Sequence, residues 1–147
     1  MRVNITKFLL AAVCAAVVSF TACSSISTFS QYAYEQATSL KVESLDLMDK
    51  AVEDYTGHKQ EAEALQTKLQ KALEYSKGRP NNEFSTRQWE ILLSPDRNLL
   101  GYFLKRWKDE GKLSPTYTKE AKGLVSDAFD TIIGLESGKI KPSNANE

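Results

Sequence analysis

The sequence predicts an all-α fold, a helical bundle of three or four helices. After residue 28, apolar and small residues recur every three or four positions through most of the chain. Serine–proline pairs and glycines divide these stretches, as helix start and stop signals do. No stretch alternates apolar and polar residues as a half-buried strand would. Each amphipathic helix must bury its apolar stripe against another, which favours a bundle with short connections.

The first predicted helix is long and is broken or kinked near Gly57. The stripe before the break consists of Phe29, Ala33, Ala37, Leu40, Ser44, Met48, Ala51 and Tyr55. It resumes after the break as Ala62, Leu65, Leu69, Ala72 and Leu73. Glycine inside a helix costs about 1 kcal/mol, so Gly57 either caps one helix before a reversal or kinks a single one. The continuous phase of the stripe favours a kink, whereas the matched segment lengths favour a fold-back.

Further helix start and stop signals divide the remainder of the chain. Gly78 suits a C-terminal cap and Pro80 cannot continue a helix. Residues 85–88 (STRQ) have the form of a capping box that opens a short helix. Ser94 and Ser114, each followed by proline, predict two further helix starts. The last helix carries a broad apolar face of Ala121, Leu124, Val125, Ala128, Phe129, Ile132 and Leu135. Residues 139–147 are polar and are predicted to be a disordered tail.

The first 22 residues are typical of a secretory signal. Arg2 and Lys7 charge the start, and residues 8–20 are apolar apart from Ser19. Thirteen helical residues rise about 20 Å, which is shorter than the roughly 30 Å core of a bilayer. An ordinary cleavage site after Ala22 would place bulky Phe20 where a small residue is needed. A different kind of processing is therefore indicated.

Phe20, Thr21, Ala22 and Cys23 resemble a lipobox, the motif that precedes the lipidated cysteine of bacterial lipoproteins. Thr21, Ala22 and Cys23 match the motif, and Phe20 stands where leucine is usual. The resemblance implies a signal peptide at 1–22 and diacylation of Cys23. Residues 23–28 are then the lipidated cysteine and a short polar tether, and the helical pattern predicts a bundle domain at 29–138. Ser24 resembles the residue type that is passed on to the outer membrane, where aspartate would retain the protein in the inner one; both membranes stay open.

Charge and cysteine content exclude several classes of function. The chain has 19 basic and 19 acidic residues, and loss of Arg2 and Lys7 with the leader leaves 17 against 19, a net charge of −2. With this overall balance, no field of one sign is available to recruit nucleic acid or an anionic membrane. Cys14 lies in the leader, so Cys23 has no partner for an intramolecular disulfide.

The candidate catalytic and metal-binding residues are few. His58 is the only histidine, with Asp54 four residues earlier, and no serine or cysteine nucleophile is identifiable beside it. One histidine supplies neither a di-iron nor a structural zinc site, so no metal and no cofactor are predicted. Asp46, Asp49 and Glu53 share a helix face that is interpreted as solvated. Residues 105–108 (KRWK) combine cations with an aromatic ring, but Trp107 is interpreted as core.

Two surfaces are candidates for binding a partner. Arg79, Asn81 and Asn82 form a distinctive polar loop that could present hydrogen-bonding groups. Tyr32 and Tyr34 could form an aromatic partner surface with Tyr55 and Tyr75, because tyrosine is enriched in interfaces. Turn chemistry and half-buried packing explain the same residues without a ligand.

The residues from Tyr55 to Lys141, including KGRPNNE, QWEILL, DRNLLGYFLKRW and AFDTIIGLESGKIK, resemble a group of small uncharacterised bacterial lipoproteins. The leading hypothesis is a non-enzymatic module, lipid-anchored at the cell membrane or outer membrane and facing the periplasm or cell surface. It would bind another envelope protein through a helical face. The alternatives are a toxin inhibitor or immunity lipoprotein and a small hydrolase built around His58.

Overall fold

A computed structural model describes residues 28–141, and within them the chain is all-α. The helices are α1 (Gln31–Asp49), α2 (Tyr55–Gly78), α3 (Glu83–Leu93), α4 (Leu100–Glu110) and α5 (Pro115–Glu136). A short 3₁₀ helix, Lys50–Val52, follows α1 directly. The predicted helical class is confirmed. The proposed leader, the lipobox through Cys23, the tether to residue 27 and residues 142–147 lie outside the described residues.

The described residues form five α-helices, whereas the sequence predicted three or four. The difference arises at two interruptions. Glu53 and Asp54 separate α1 from α2, and an irregular segment at 94–99 separates α3 from α4. At the second interruption, the serine–proline pair at 94–95 predicted that a helix begins at Pro95. The helix α4 instead begins five residues later, at Leu100. The Ser94 hydroxyl instead accepts a hydrogen bond from the Asp96 backbone within a turn.

The chain reverses at Glu53 and Asp54, three residues before Gly57, near which the sequence predicted a break or kink. Asp54 caps α2, because its carboxylate accepts hydrogen bonds from the backbone N–H of Thr56 at 3.0 Å and from its hydroxyl at 2.5 Å. Satisfying an orphan N–H in this way starts a helix. Gly57 therefore lies in the first turn of α2, where its conformational freedom is not used.

Helix α1 lies between α2 and α5 and is antiparallel to both. The Lys68 ammonium is 2.6 Å from Glu43, and that of Lys50 is 2.6 Å from Glu61, so α2 folds back along α1. Helix α5 is paired in the same sense by two further ion pairs, Lys41 with Asp130 and Lys122 with Asp49. Helices α2 and α5 therefore end beside the start of α1. We call this region, which holds Thr28, Arg79 and Glu136, the tether end.

The core is continuous and draws on all five helices. Its largest fully buried side chains are Trp107, Phe103, Phe129, Leu47, Met48, Leu69, Leu92, Leu100, Leu104 and Ile132. All five apolar residues predicted for α2 are buried, as is Trp107. Phe29 and Leu124 depart from the prediction with 63% and 48% exposure. Phe29 precedes the first turn of α1, and Leu124 lies beyond the edge of the face that α5 packs against its neighbours.

Two of the predicted caps have different outcomes. Ser114 accepts a hydrogen bond from the Tyr117 N–H at 3.2 Å, and Pro115 is the first residue of α5, so this start is confirmed. The capping box at 85–88 is wrong, because α3 begins at Glu83 and Ser85 is buried inside its first turns. Gly78 remains helical, and Asn81 makes the left-handed turn with a φ of 55°.

Gly101 lets the start of α4 cross the end of α3 at very close range. A Cβ at this position would lie 2.2 Å from the Leu93 carbonyl oxygen, which is a backbone atom and cannot move aside cheaply. We expect Gly101→Ala to lower the free energy of unfolding by about 3 kcal/mol, at the upper end of ordinary overpacking costs. Urea denaturation of both proteins measures the difference.

The matched control is Gly123→Ala in α5. Nothing lies within 4 Å of a Cβ there, and the residue is exposed. The substitution should raise stability by roughly 0.5–1 kcal/mol because alanine is the better helix former. Equal effects of the two alanines would contradict the close crossing.

Candidate functional site

A buried ion pair organises the tether end. The Arg79 guanidinium pairs with the Glu136 carboxylate, and the side chains are only 11% and 3% exposed. Arg79 also donates a 2.6 Å hydrogen bond to the backbone carbonyl of Thr28. One side chain therefore joins the end of α2, the end of α5 and the segment that enters α1. Hydrogen bonds to ionised groups are the strong kind, and a planar guanidinium can serve several acceptors at once.

The rest of the predicted polar loop is partly buried. The Asn82 amide donates to the Ser76 carbonyl at 3.2 Å and lies 2.8 Å from the Ser76 hydroxyl. That hydroxyl is 2.9 Å from the Thr86 hydroxyl, which ties the end of α2 to the start of α3. Asn81 is exposed. The structure thus brings Arg79 and Asn82 together as connectors of helix ends and leaves Asn81 on the surface.

Aromatic side chains lie exposed beside this ion pair. The rings of Tyr32 and Tyr75 meet edge to face with centroids 4.8 Å apart, and the Tyr75 hydroxyl is 3.2 Å from that of Ser30. Tyr32 is 57% exposed. Together with Phe29 they form what we call the aromatic surface, defined as Phe29, Tyr32 and Tyr75. It lies where the described chain begins.

The other two tyrosines of the sequence hypothesis are placed differently. Tyr34 is half-buried, with its ring centroid 6.5 Å from that of Phe29. Tyr55 is buried at the opposite end of the bundle, where its ring meets Trp107 edge to face at 5.3 Å. Tyr32 and Tyr75 are therefore neighbours, whereas Tyr34 points to a different side of α1 and Tyr55 lies at the far end of the bundle.

A hollow of about 350 Å³ adjoins the aromatic surface between α1 and α2. Tyr32 and Tyr75 line it together with Lys68 and Lys71. Lys68 is paired with Glu43, whereas Lys71, one helical turn from Tyr75, is exposed and forms no ion pair with another described residue. The hollow therefore has aromatic walls and one unneutralised cation.

The end of α5 contributes further positive charge to the same region. The Ile140 N–H donates to the Gly134 carbonyl at 3.0 Å, and the Ile140 side chain packs where a Cβ on Gly134 would lie. The chain is thereby held against α5 through Ile140. Lys139 and Lys141 are exposed on either side of it, and neither forms an ion pair with another described residue.

His58 lies at the opposite end and is held by carboxylates. Its Nε2 is 2.8 Å from a Glu53 oxygen, its Nδ1 is 3.8 Å from Glu61, and its ring centroid is 5.8 Å from that of Trp107. The hydrogen bond from Lys50 lowers the pKa of Glu61, and the charges of Lys50 and His58 add to that shift. Among residues 28–141, no hydroxyl or thiol is hydrogen-bonded to His58. The arrangement can orient an imidazole but offers it no adjacent nucleophile.

The surroundings of His58 join the helix break to the loop between α4 and α5. The Trp107 indole donates to the Glu53 carbonyl at 3.0 Å. Two backbone hydrogen bonds of 2.8 Å reinforce this contact, from the Tyr55 N–H to the Gly111 carbonyl and from the Leu113 N–H to the Ala51 carbonyl. The indole and backbone groups that surround His58 are thus engaged in holding the reversal in place.

The acidic and basic stretches of the sequence are largely paired within the chain. Asp49 binds Lys122, and residues 28–141 contain no group of three His, Cys, Asp or Glu side chains placed to hold a metal ion. Lys105 binds Asp109 and Arg106 binds Glu110, each at 2.7 Å, and these hydrogen bonds raise the pKa of both cations. This pairing leaves little charge at 105–106 for a phosphate.

A groove of about 700 Å³ runs between α2 and α4 and was not anticipated from the sequence. Half-buried Leu93 and exposed Pro95 provide its apolar surface, and the core side chains of Leu69 and Leu104 also line it. The rim is polar and consists of Glu63, Gln66, Thr67, Gln70, Lys105 and Lys108. Its two walls lie about 30 residues apart in the chain, so no local pattern reveals it.

Comparison with known proteins finds no matching protein family, no matching curated protein and no matching solved structure. Within residues 28–141, none of the helices combines the length and apolarity that crossing a bilayer requires.

We expect Arg79→Ala to lower the free energy of unfolding by about 3 kcal/mol, because it leaves the Glu136 carboxylate buried and unpaired. The matched control is Lys68→Ala, which breaks an exposed pair with Glu43 and should cost less than about 1 kcal/mol. Denaturant titration of the two variants gives both values. Losses of equal size would mean that the Arg79 pair is not a buried connector.

Proposed function

We propose that the chain is a lipid-anchored protein of the bacterial cell envelope. The observation that carries the proposal is the lipobox-like run from Phe20 to Cys23, placed directly after a charged start and an apolar stretch. Cleavage after Ala22 and diacylation of Cys23 would leave five residues between the lipid and Thr28. The described body begins at Thr28, at the tether end.

Lipid attachment would hold the protein at a bilayer that none of the helices within residues 28–141 is long and apolar enough to cross. Each buried methylene contributes about 0.8 kcal/mol, and two or more acyl chains hold a protein stably where one does not. The protein would then lie at the cell membrane or outer membrane, facing the periplasm or the cell surface, without spanning the bilayer.

We further propose that the helical body is a non-enzymatic module that binds another envelope protein in the groove between α2 and α4. An apolar patch of Leu93 and Pro95 within a polar rim is the pattern of a protein-binding surface. The contacts of His58 with Glu53 and Glu61 support a structural role for the imidazole. No observation favours a toxin inhibitor over other binding partners.

Intact-mass analysis of the mature protein tests the anchor. We expect a chain that starts at Cys23 and carries fatty acid, and we expect Cys23→Ser to abolish incorporation of labelled palmitate because the acceptor thiol is gone. Cys14→Ser is the matched control and should leave the label unchanged, since Cys14 would be removed with the leader. A mature chain that begins elsewhere, or an unmodified thiol at Cys23, would refute the proposal.

Photo-crosslinking in intact cells tests the groove. A photoreactive amino acid at Thr67, on the groove rim, should capture an envelope protein that mass spectrometry identifies. The same amino acid at Asp127, which is exposed on α5 outside the groove, should not capture it. Identical crosslinks from both positions, or none from Thr67, would count against this binding site.

A further inference from the structure

The tether end is the part of the body that a lipid on Cys23 would hold nearest the bilayer, so this inference rests on the proposed anchor. Five residue steps from Cys23 to Thr28 span at most about 17 Å even when fully extended. Thr28 itself is fixed to the body, because its carbonyl accepts the hydrogen bond from Arg79. The tether end therefore cannot move far from the lipid headgroups.

The side chains exposed there suit a membrane–water interface. Tyr32 and Tyr75 combine an apolar ring with a hydroxyl, the property that concentrates tyrosine at headgroup level. Phe29 adds a wholly apolar side chain at the same end of the bundle, and it is the most exposed large apolar residue of the described chain. Burying Phe29 and Tyr32 in the interface would remove their apolar area from water.

The exposed lysines of the tether end suit contact with an anionic lipid surface. Lys71 lies one helical turn above Tyr75, which corresponds to a rise of about 5 Å, so its ammonium would reach phosphate level when the rings lie at the acyl boundary. Lys139 and Lys141 follow the end of α5, which lies beside the start of α1 at the same tether end. Basic residues close to an anionic leaflet each contribute about 1 kcal/mol to binding.

We propose that the aromatic surface inserts into the lipid headgroup region, with Lys71, Lys139 and Lys141 contacting lipid phosphates, so that the bundle stands on its tether end. The occupant of this surface is the bilayer itself, and the anchor would be a two-part device of acyl chains and protein side chains. The long axis of α1 then points away from the membrane.

Depth-dependent fluorescence quenching tests the orientation. Lipidated full-length mature protein carrying Tyr32→Trp is reconstituted in vesicles of phosphatidylglycerol and brominated phosphatidylcholine. The emission maximum of the added tryptophan should shift to shorter wavelength, and the brominated lipid should quench its fluorescence. Leu124→Trp is the matched control, because Leu124 is similarly exposed but lies about 18 Å from the end of α5; its tryptophan should stay unquenched. Trp89 and Trp107 are buried and provide a common background.

The remaining outcomes separate the two proposals. If mass analysis shows lipid on Cys23 and the protein is vesicle-bound, but Tyr32→Trp keeps water-like emission, the orientation is overturned and the anchor stands. Equal quenching of both tryptophans would show a bundle lying on its side and would also overturn the orientation. A protein without lipid refutes the anchor before either variant is examined. Replacing phosphatidylglycerol with phosphatidylcholine should weaken the quenching of Tyr32→Trp, and unchanged quenching would overturn the role of the lysines.

Discussion

The ion pair between Arg79 and Glu136 removes two charges from water at the point where α2 and α5 end. Desolvation of this kind offsets much of the Coulomb attraction, so such a pair contributes more to which arrangement forms than to net stability. Helices α2 and α5 are parallel and are both packed on α1, and apolar packing alone would tolerate sliding along their axes. A guanidinium that needs both Glu136 and the Thr28 carbonyl fixes that register.

Different kinds of interaction stabilise the two ends of the bundle. At the far end, the indole of Trp107 and two backbone pairs close the reversal without a buried ion pair. At the tether end, a charged connector is combined with exposed aromatic rings and with lysines that form no ion pair within residues 28–141. Neutral hydrogen bonds suit an end that only has to hold a turn in place. Charge and exposed rings suit an end that meets a polar, layered environment.

Helical periodicity predicted the core well because it reports which residues face inward within one helix. The stripe from Ala62 to Leu73 is buried throughout, and Ser114 caps α5 as expected. The glycine signal placed the reversal three residues too late. The carboxylate of Asp54 caps the start of α2, so Gly57 lies inside the helix and does not end one. Arg79 and Asn82 were recognised as unusual, but not as connectors. Glu136 lies 57 residues from Arg79, and such a pairing exists only once three helices have been assembled.

The inferred orientation has a consequence for the groove between α2 and α4. Thr67 on the rim lies eight residues before Tyr75 in the same helix, so the groove is about 12 Å farther along the axis of α2 than the aromatic surface. A bundle that stands on its tether end would present this groove sideways, just above the headgroups. A partner anchored in the same membrane could reach it there without leaving its own bilayer. A protein anchored and oriented in this way would bind preferentially to partners in the same membrane. Two proteins confined to one bilayer meet by diffusion in two dimensions, which is more efficient than diffusion in three.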